Sequence, residues 1–228
     1  MGSIIEFEGD GQTFQGYLAS ADMSNAPGVI VVQEWWGLVD HVKDLCDRMA
    51  AEGFNALAPD LYAGRSTTRP DEAGKLMMAL DIARTEVAMR GAIAHLLAAP
   101  GTRPGPVGVV GFCMGGQLAL FAAAENPTVG AAVDFYGIHP AVTVDVAKVS
   151  GPVLAFFAEH DGFVDAAAMV GLVQRFADAG KRLEVHRYLD ADHAFMNDTR
   201  PEVYHPAHAR DAWARTVAFL HQYLGQTR

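Results

Sequence analysis

The stretch Gly111-Phe112-Cys113-Met114-Gly115 constrains this chain more than any other. Before it, Pro106-Val107-Gly108-Val109-Val110 is apolar and β-branched, which favours a strand. After it, residues 117–124 are rich in alanine and leucine, which favours a helix. A cysteine between two glycines at such a junction predicts a strained turn, because larger side chains two positions away would collide with the neighbouring strand and helix.

A strand, a glycine-flanked nucleophile and a helix, in that order, form the nucleophile elbow of α/β-hydrolases, with cysteine here in the usual place of serine. The start of a helix favours the thiolate form of a cysteine placed there. We therefore interpret Cys113 as a catalytic nucleophile, against the alternative of a buried structural cysteine beside a tight turn.

Length and composition exclude several classes of protein. A chain of 228 residues suits one domain, 1–228, and half of its residues are hydrophobic with 19% charged, which argues against disorder. The net charge of −10, without a basic run, argues against a nucleic-acid partner. We see no secretory signal, no myristoylation pattern and no apolar stretch long enough for a bilayer. Two cysteines far apart in sequence indicate a reducing compartment, so we expect a cytoplasmic protein that does not bind membranes.

Apolar runs and alternating patterns predict the strands. Segments 3–8 and 13–19 alternate around Gly9-Asp10-Gly11 and predict an opening β-hairpin. Further strands are expected at 28–32, 54–58, 106–110, 129–135, 152–158 and 183–188. A long polar loop is expected from Leu189 to Tyr204.

Helical periodicity fills the segments between these strands. Residues 42–50 place Cys46 toward the core, and 70–99 is helical with expected breaks near Asp81 and Gly91. Asp165 is expected to cap the next helix, and 213–224 closes the chain. The alternation predicts an α/β-hydrolase fold: a mostly parallel central sheet with helices on both faces and an N-terminal β-hairpin. Ligands bind such sheets beyond the carboxyl ends of the strands.

A thiol nucleophile needs a base and an acid that orients the base, in the chain order nucleophile, acid, histidine. Glu159, Asp161 and Asp165 follow a predicted strand, and we choose Asp161 because it precedes Gly162 in a loop. Glu159 can still lie in the strand, and Asp165 has a sufficient role as a helix cap.

Among nine histidines, His193 follows the last predicted strand and precedes the last helix, which is the place expected for the base. His205 and His208 are expected to face solvent near the start of that helix, and His160 adjoins the acid. We find no zinc-binding histidine or cysteine spacing and no phosphate or dinucleotide loop, so neither a metal nor a cofactor is expected.

Six short segments resemble the dienelactone hydrolase (carboxymethylenebutenolidase) family of α/β-hydrolases. They are Gln33-Glu34-x-x-Gly37, Pro59-Asp60-Leu61-Tyr62, Gly111-x-Cys113-x-Gly115-Gly116, Phe135-Tyr136-Gly137, Asp161-x-Phe163-Val164 and His193-x-Phe195. The resemblance implies a triad of Cys113, Asp161 and His193, the set reached above from spacing. It also implies that Glu34 contacts the thiol and takes part in its activation, whereas Glu34 taken alone is equally a residue at the end of a strand.

The chain departs from the family pattern where substrate is held. The family grips a substrate carboxylate with two arginines, and this chain has Asn197 and Pro70 at those positions, with Arg69 beside the second. Met77 stands where a tryptophan is expected, and Arg65, Arg69 or Arg200 can substitute for the missing arginines. We expect the substrate-binding residues to be Trp36, Tyr62, Arg65, Arg69, Tyr136, Phe195 and Asn197.

These residues predict a cysteine-dependent hydrolase of small activated esters or lactones, dienelactone-type enol lactones included, acting through a thioester. The backbone N–H groups of Met114 and Trp35 are the expected oxyanion donors. The partner is then a small-molecule ester or lactone, and the oligomeric state stays open. The alternative is a non-catalytic member that binds a ligand or senses oxidants through Cys113.

Overall fold

A computed structural model describes residues 1–225 of the chain. Its eight strands are β1 (Ser3–Gly9), β2 (Gln12–Ala19), β3 (Gly28–Val32), β4 (Asn55–Pro59), β5 (Val107–Phe112), β6 (Val129–Phe135), β7 (Val153–His160) and β8 (Leu183–Asp192). Its helices are α1 (Asp40–Ala51), α2 (Pro70–Met78), α3 (Ile82–Ala98), α4 (Met114–Glu125), α5 (Ala166–Asp178) and α6 (Pro206–Leu224), with a 3₁₀ turn at Val146–Lys148.

All eight strands form one sheet in the order β1-β2-β4-β3-β5-β6-β7-β8. The hairpin β1–β2 and the β2–β4 pair are antiparallel, and every other pair is parallel. The predicted α/β-hydrolase architecture, a mostly parallel sheet preceded by a β-hairpin, is therefore confirmed. Strands β3, β4 and β5 are buried along their whole length, as expected for central strands covered on both sides.

Two glycines of β5 show how tightly helices cover the sheet. A Cβ at Gly108 would meet Leu220 and Leu224 of α6, whereas a Cβ at Gly111 would overlap the Gly115 carbonyl of α4. Side chains three positions apart on a strand point to opposite faces, so α6 and α4 cover different faces of the sheet.

Two predicted boundaries are wrong. Helix α3 runs through Gly91 without a break. A Cβ at position 91 would lie 2.6 Å from the Glu8 carbonyl oxygen of β1, so glycine here allows the helix to pack closely on the strand. Strand β8 continues to Asp192 instead of ending at Tyr188, since Asp192 pairs with His160 after a register shift in β7. The predicted break near Asp81 is confirmed, and that side chain caps α3 by accepting from the Arg84 N–H.

Candidate active site

Cys113 lies at the junction of β5 and α4, where the chain turns with φ 54° and ψ −123°. This left-handed backbone is strained for a residue with a side chain. The turn is fixed by hydrogen bonds on both sides: the Cys113 N–H donates to the Phe135 carbonyl (3.0 Å), and its carbonyl accepts from Gly116 (2.9 Å) and Ile138 (3.2 Å). A Cβ at Gly111 would overlap the Gly115 backbone, so glycine is required within the bend. The thiol is 7% exposed at the carboxyl edge of the sheet.

Asp161 and His193 follow the adjacent strands β7 and β8 and meet at that same edge. Asp161 Oδ2 lies 2.8 Å from His193 Nδ1, and both side chains are largely buried. Asp161 Oδ1 accepts from the N–H groups of Phe163 (2.8 Å) and Val164 (2.9 Å), which fixes the carboxylate on its own loop. Because a carboxylate only accepts, Nδ1 carries the proton and Nε2 is left for the reaction.

The His193 imidazole is held between two aromatic rings, Tyr136 and Phe163, each 4.9 Å from it between centroids. Burial lowers the pKa of His193, but the hydrogen bond with Asp161 and the nearby Cys113 sulfur outweigh burial and raise that pKa to about 10. Nε2 is buried and makes no hydrogen bond of normal geometry within residues 1–225. The site therefore favours the protonated imidazole of His193.

Glu34 follows β3 and is 1% exposed. Its Oε2 accepts a 2.7 Å hydrogen bond from Asn197 Nδ2, whereas its Oε1 is buried without a partner in the described part of the chain. Burial raises the pKa of Tyr136, and the charges of Glu34 and Cys113 raise it further. Glu34 and Cys113 line the same cleft. One buried carboxylate oxygen of Glu34 is thus left without a donor in the described residues.

The cleft around these groups has about 390 Å³ of empty space, its mouth included. Its walls are mainly aromatic and aliphatic, and they are formed by Glu34, Trp35, Trp36, Met77, Cys113, Ile138, Phe163, His193, Ala194 and Arg200. Trp35 packs edge-on against Trp36 (5.0 Å) and Phe163 (6.0 Å). Arg200 lies 5.6 Å from the Trp36 ring centroid and is the one arginine among these lining residues, which include no lysine. The cleft suits a small apolar or planar group.

The backbone N–H groups of Met114 and Trp35 have no hydrogen-bond acceptor within residues 1–225. Met114 is the first residue of α4, whose first-turn N–H groups have no partner inside the helix. Both N–H groups are therefore unpartnered donors at the start of α4 and after β3.

Several residues expected to contact substrate lie elsewhere. Phe195 is fully buried and packs against Tyr136 (5.4 Å) and Tyr188 (5.1 Å), so it supports the site from the core. Asn197 binds Glu34 instead of standing open to the cleft. Tyr136 is also fully buried and contacts His193 rather than open space.

Two of the arginines expected to bind substrate lie outside the cleft lining. Arg69 is exposed and pairs with Asp71 and Glu72 of α2. Arg65 is exposed and does not line the cleft, whereas Trp36 does. Tyr62 donates through its hydroxyl to the Met114 sulfur (3.2 Å), which supports the start of α4.

The sequence reasoning did not single out Phe163 and Ile138 as lining residues. Phe163 stands two residues after Asp161 in a predicted loop, and that position beside a strand end is the signal that could have revealed it. Ile138 follows the Phe135-Tyr136-Gly137 segment in the same manner.

Glu159, His160 and Asp190 form the group of metal-ligand side chains found in the described part of the chain, with ligand atoms within 4.8 Å of one another. His160 and Asp190 are exposed. The Glu159 carboxylate oxygens accept hydrogen bonds from Arg187 and from the Asp190 N–H, so we interpret the group as a hydrogen-bond network on the surface. Among residues 1–225, no helix has the length and apolar character needed to cross a membrane.

Known proteins resemble this chain over nearly its whole length. The dienelactone hydrolase family matches residues 14–224. Protein usf of Aquifex pyrophilus is 38% identical over 98% of this chain and all of its own. The "Putative carboxymethylenebutenolidase" of Aquifex aeolicus is 35% identical with the same coverage. The crystal structure of a "Putative Dienelactone Hydrolase" from Klebsiella pneumoniae superposes with a TM-score of 0.87 at 29% identity, covering 98% of this chain and 99% of that one. The chain belongs to the dienelactone hydrolase family.

Proposed function

We propose that the protein hydrolyses small activated esters or lactones through a thioester on Cys113, with enol lactones of the dienelactone type among its substrates. The observation that carries the proposal is the 2.8 Å pair of Asp161 and His193 in one buried cleft with a cysteine at a strained elbow. Nucleophile, base and orienting acid are the groups that acyl transfer to water requires.

In the first half of the reaction, the Cys113 thiolate forms a bond to the substrate carbonyl carbon and the carbonyl electron pair moves to oxygen. The N–H groups of Met114 and Trp35 stabilise that oxyanion, at about 3–4 kcal/mol for each such donor. The oxyanion then collapses, the ester C–O bond breaks, and the imidazolium of His193 protonates the departing alkoxide or enolate. A thioester on Cys113 and a neutral imidazole remain.

In the second half, the neutral His193 takes a proton from water as the water oxygen attacks the thioester carbonyl. The carbon–sulfur bond breaks, the carboxylic acid leaves, and the thiolate–imidazolium pair is restored. Asp161 holds the ring in one tautomer throughout and stabilises its positive charge.

The nucleophile and the cleft together restrict the substrate. A thiolate is a good leaving group and returns from the tetrahedral intermediate unless the substrate's own group leaves faster. Enolates and phenolates meet this condition and amines do not, so we propose esters and lactones rather than amides. The aromatic walls and small volume favour a compact, planar substrate.

We further propose a cytoplasmic location, since both cysteines are free and the proposed chemistry needs Cys113 reduced.

The test is hydrolysis of a chromogenic aryl ester by wild type and by Cys113→Ala. We expect the variant to lose at least about 10³-fold in kcat/KM while its circular dichroism is unchanged. Cys46→Ala is the matched control. Cys46 is fully buried and remote from the proposed chemistry, so its variant should stay active. Intact-protein mass spectrometry should show an acyl adduct in wild type that Cys113→Ala lacks. Full activity in Cys113→Ala would refute the proposal, and a protein that forms no adduct with any ester would be the ligand-binding or redox-sensing alternative.

A further inference from the structure

The Asn197 side chain makes hydrogen bonds that fix its orientation. Its Oδ1 accepts from the Thr199 N–H (3.1 Å) and from the Thr199 hydroxyl (2.6 Å). A backbone N–H can only donate, so Oδ1 must be the acceptor and the amide cannot be rotated end for end. Nδ2 must therefore face Glu34, to which it donates at 2.7 Å.

This contact joins residues 163 positions apart in the sequence, and both side chains are at least 98% buried. A hydrogen bond from an amide stabilises the ionised form of a carboxylate. It also fixes the rotation of the carboxylate. Among residues 1–225, Oε1 of Glu34 then has no partner, in the cleft that Cys113 also lines. Because the amide is neutral, it holds the Glu34 charge in place without cancelling it.

A fixed negative charge close to a sulfur opposes the formation of a thiolate. When one proton is shared between Glu34 and Cys113, an ionised Glu34 leaves the proton on sulfur. Protonation of Glu34 instead leaves the sulfur ionised. Whatever stabilises the Glu34 carboxylate therefore shifts this proton toward Cys113.

We propose that Asn197 is a positioning residue that keeps Glu34 ionised and aimed at the Cys113 sulfur, and that it thereby sets the fraction of Cys113 present as thiolate. Asn197 touches neither the sulfur nor substrate in this scheme. The inference concerns the resting thiol and extends the proposed function without depending on turnover.

Other charged or titratable groups also face Glu34 and Cys113, and the test must leave them unchanged. Tyr136 comes from the end of β6 and His193 from the loop after β8, with Asp161 behind it. Burial raises the pKa of Tyr62, and the charge of Cys113 raises it further. Arg200 lines the cleft. A change at Asn197 removes none of these groups.

The experiment measures the rate at which iodoacetamide alkylates Cys113 between pH 5 and 10, by mass spectrometry of the intact protein. Cys46 is fully buried and its pKa is raised by burial, so the single adduct reports Cys113. In Asn197→Leu, the Glu34 carboxylate loses the hydrogen bond from Asn197, and we expect it to take up a proton. We expect the midpoint of the alkylation profile to fall by about one pH unit, which makes alkylation about tenfold faster on the acid side.

Two further variants separate positioning from general damage. Thr199→Val keeps the backbone donor and removes the hydroxyl, so a smaller shift in the same direction is expected. Asn55→Leu is the matched control, because Asn55 is equally buried, accepts a backbone N–H from Ala21 and donates to Thr102 at the far edge of the sheet. Its alkylation midpoint should equal that of wild type.

An unchanged midpoint in Asn197→Leu, or a midpoint moved to higher pH, would overturn the inference. Asn197→Ala gives the same readout if the leucine variant does not fold. The acid limb of kcat/KM for an aryl ester should move with the alkylation midpoint. Because alkylation needs no hydrolysis, a protein that shows the alkylation shift but cleaves no ester would refute the proposed function and leave the role of Asn197 standing.

Discussion

Replacing Asp161 by asparagine tests the proposed role of the Asp161–His193 hydrogen bond with little disturbance of the Asp161 loop. Asp161 Oδ1 accepts two backbone N–H groups, and an asparagine oxygen can keep both. The second carboxylate oxygen, 2.8 Å from His193 Nδ1, becomes an NH₂ group that can only donate. His193 must then present an unprotonated Nδ1, which places the proton of the neutral ring on Nε2, where the second half of the mechanism needs an acceptor.

The size of the loss follows from the hydrogen bond removed. A hydrogen bond to a charged group contributes about 1.5–3 kcal/mol, and about 1.4 kcal/mol corresponds to tenfold in rate. We therefore expect kcat/KM for an aryl ester to fall by about 10-fold to 150-fold in Asp161→Asn. The negative charge of Asp161 contributes to raising the pKa of His193 to about 10, so its removal lowers that pKa. Imidazolium is then lost at lower pH, and the alkaline limb of kcat/KM should move toward neutral pH.

The assay is hydrolysis of a chromogenic aryl ester across pH 6 to 10.5, with Asp165→Asn as the control. Asp165 lies four residues away and caps α5 through the Ala168 N–H (2.7 Å), so its variant should keep wild-type kcat/KM and the wild-type alkaline limb. Activity of Asp161→Asn within threefold of wild type, with an unmoved alkaline limb, would show that the pair does not orient the base.

Two other predictions concern the cleft wall and the core. Phe163 is 56% exposed and packs against His193. Phe163→Ala should raise KM for aryl esters about fivefold, because about 1 kcal/mol of aromatic contact is lost. The control is Val170→Ala at an exposed position of α5, which should leave KM unchanged. Asp134 is fully buried, and burial raises its pKa to about 7. The folded protein then holds a proton that the unfolded chain releases near pH 4, so this group makes wild type less stable as pH rises from about 4 to 7. Denaturant unfolding of Asp134→Asn should show a smaller fall in unfolding free energy over that interval, and parallel pH curves for the two proteins would contradict the assignment.

The sequence predicted the parts of this molecule that depend on local pattern. The hairpin around Asp10-Gly11, the elbow at Cys113 and the cap at Asp165 each have a steric or hydrogen-bonding signature within a few residues. The family resemblance added Glu34, whose place in the cleft no local pattern could show.

What local pattern could not provide were contacts between distant segments. Gly91 looked like a helix break because nothing near it in sequence reveals that β1 lies against it. The polar residues after Tyr188 looked like a loop, but pairing with β7 keeps them in the strand. Asn197 was expected to meet substrate, and only the fold shows that Glu34 occupies its amide group.

The groups of this site come from four separate loops, after β3, β5, β7 and β8, and the bond between Glu34 and Asn197 links chain segments 163 positions apart. Parallel strands are joined by long crossover connections, and contacts between distant residues form slowly, so we expect this closure late in folding. Ester hydrolysis recovered after dilution from denaturant would therefore trail the return of helical signal. The time at which ester hydrolysis returns would thus report when the sheet completes its assembly.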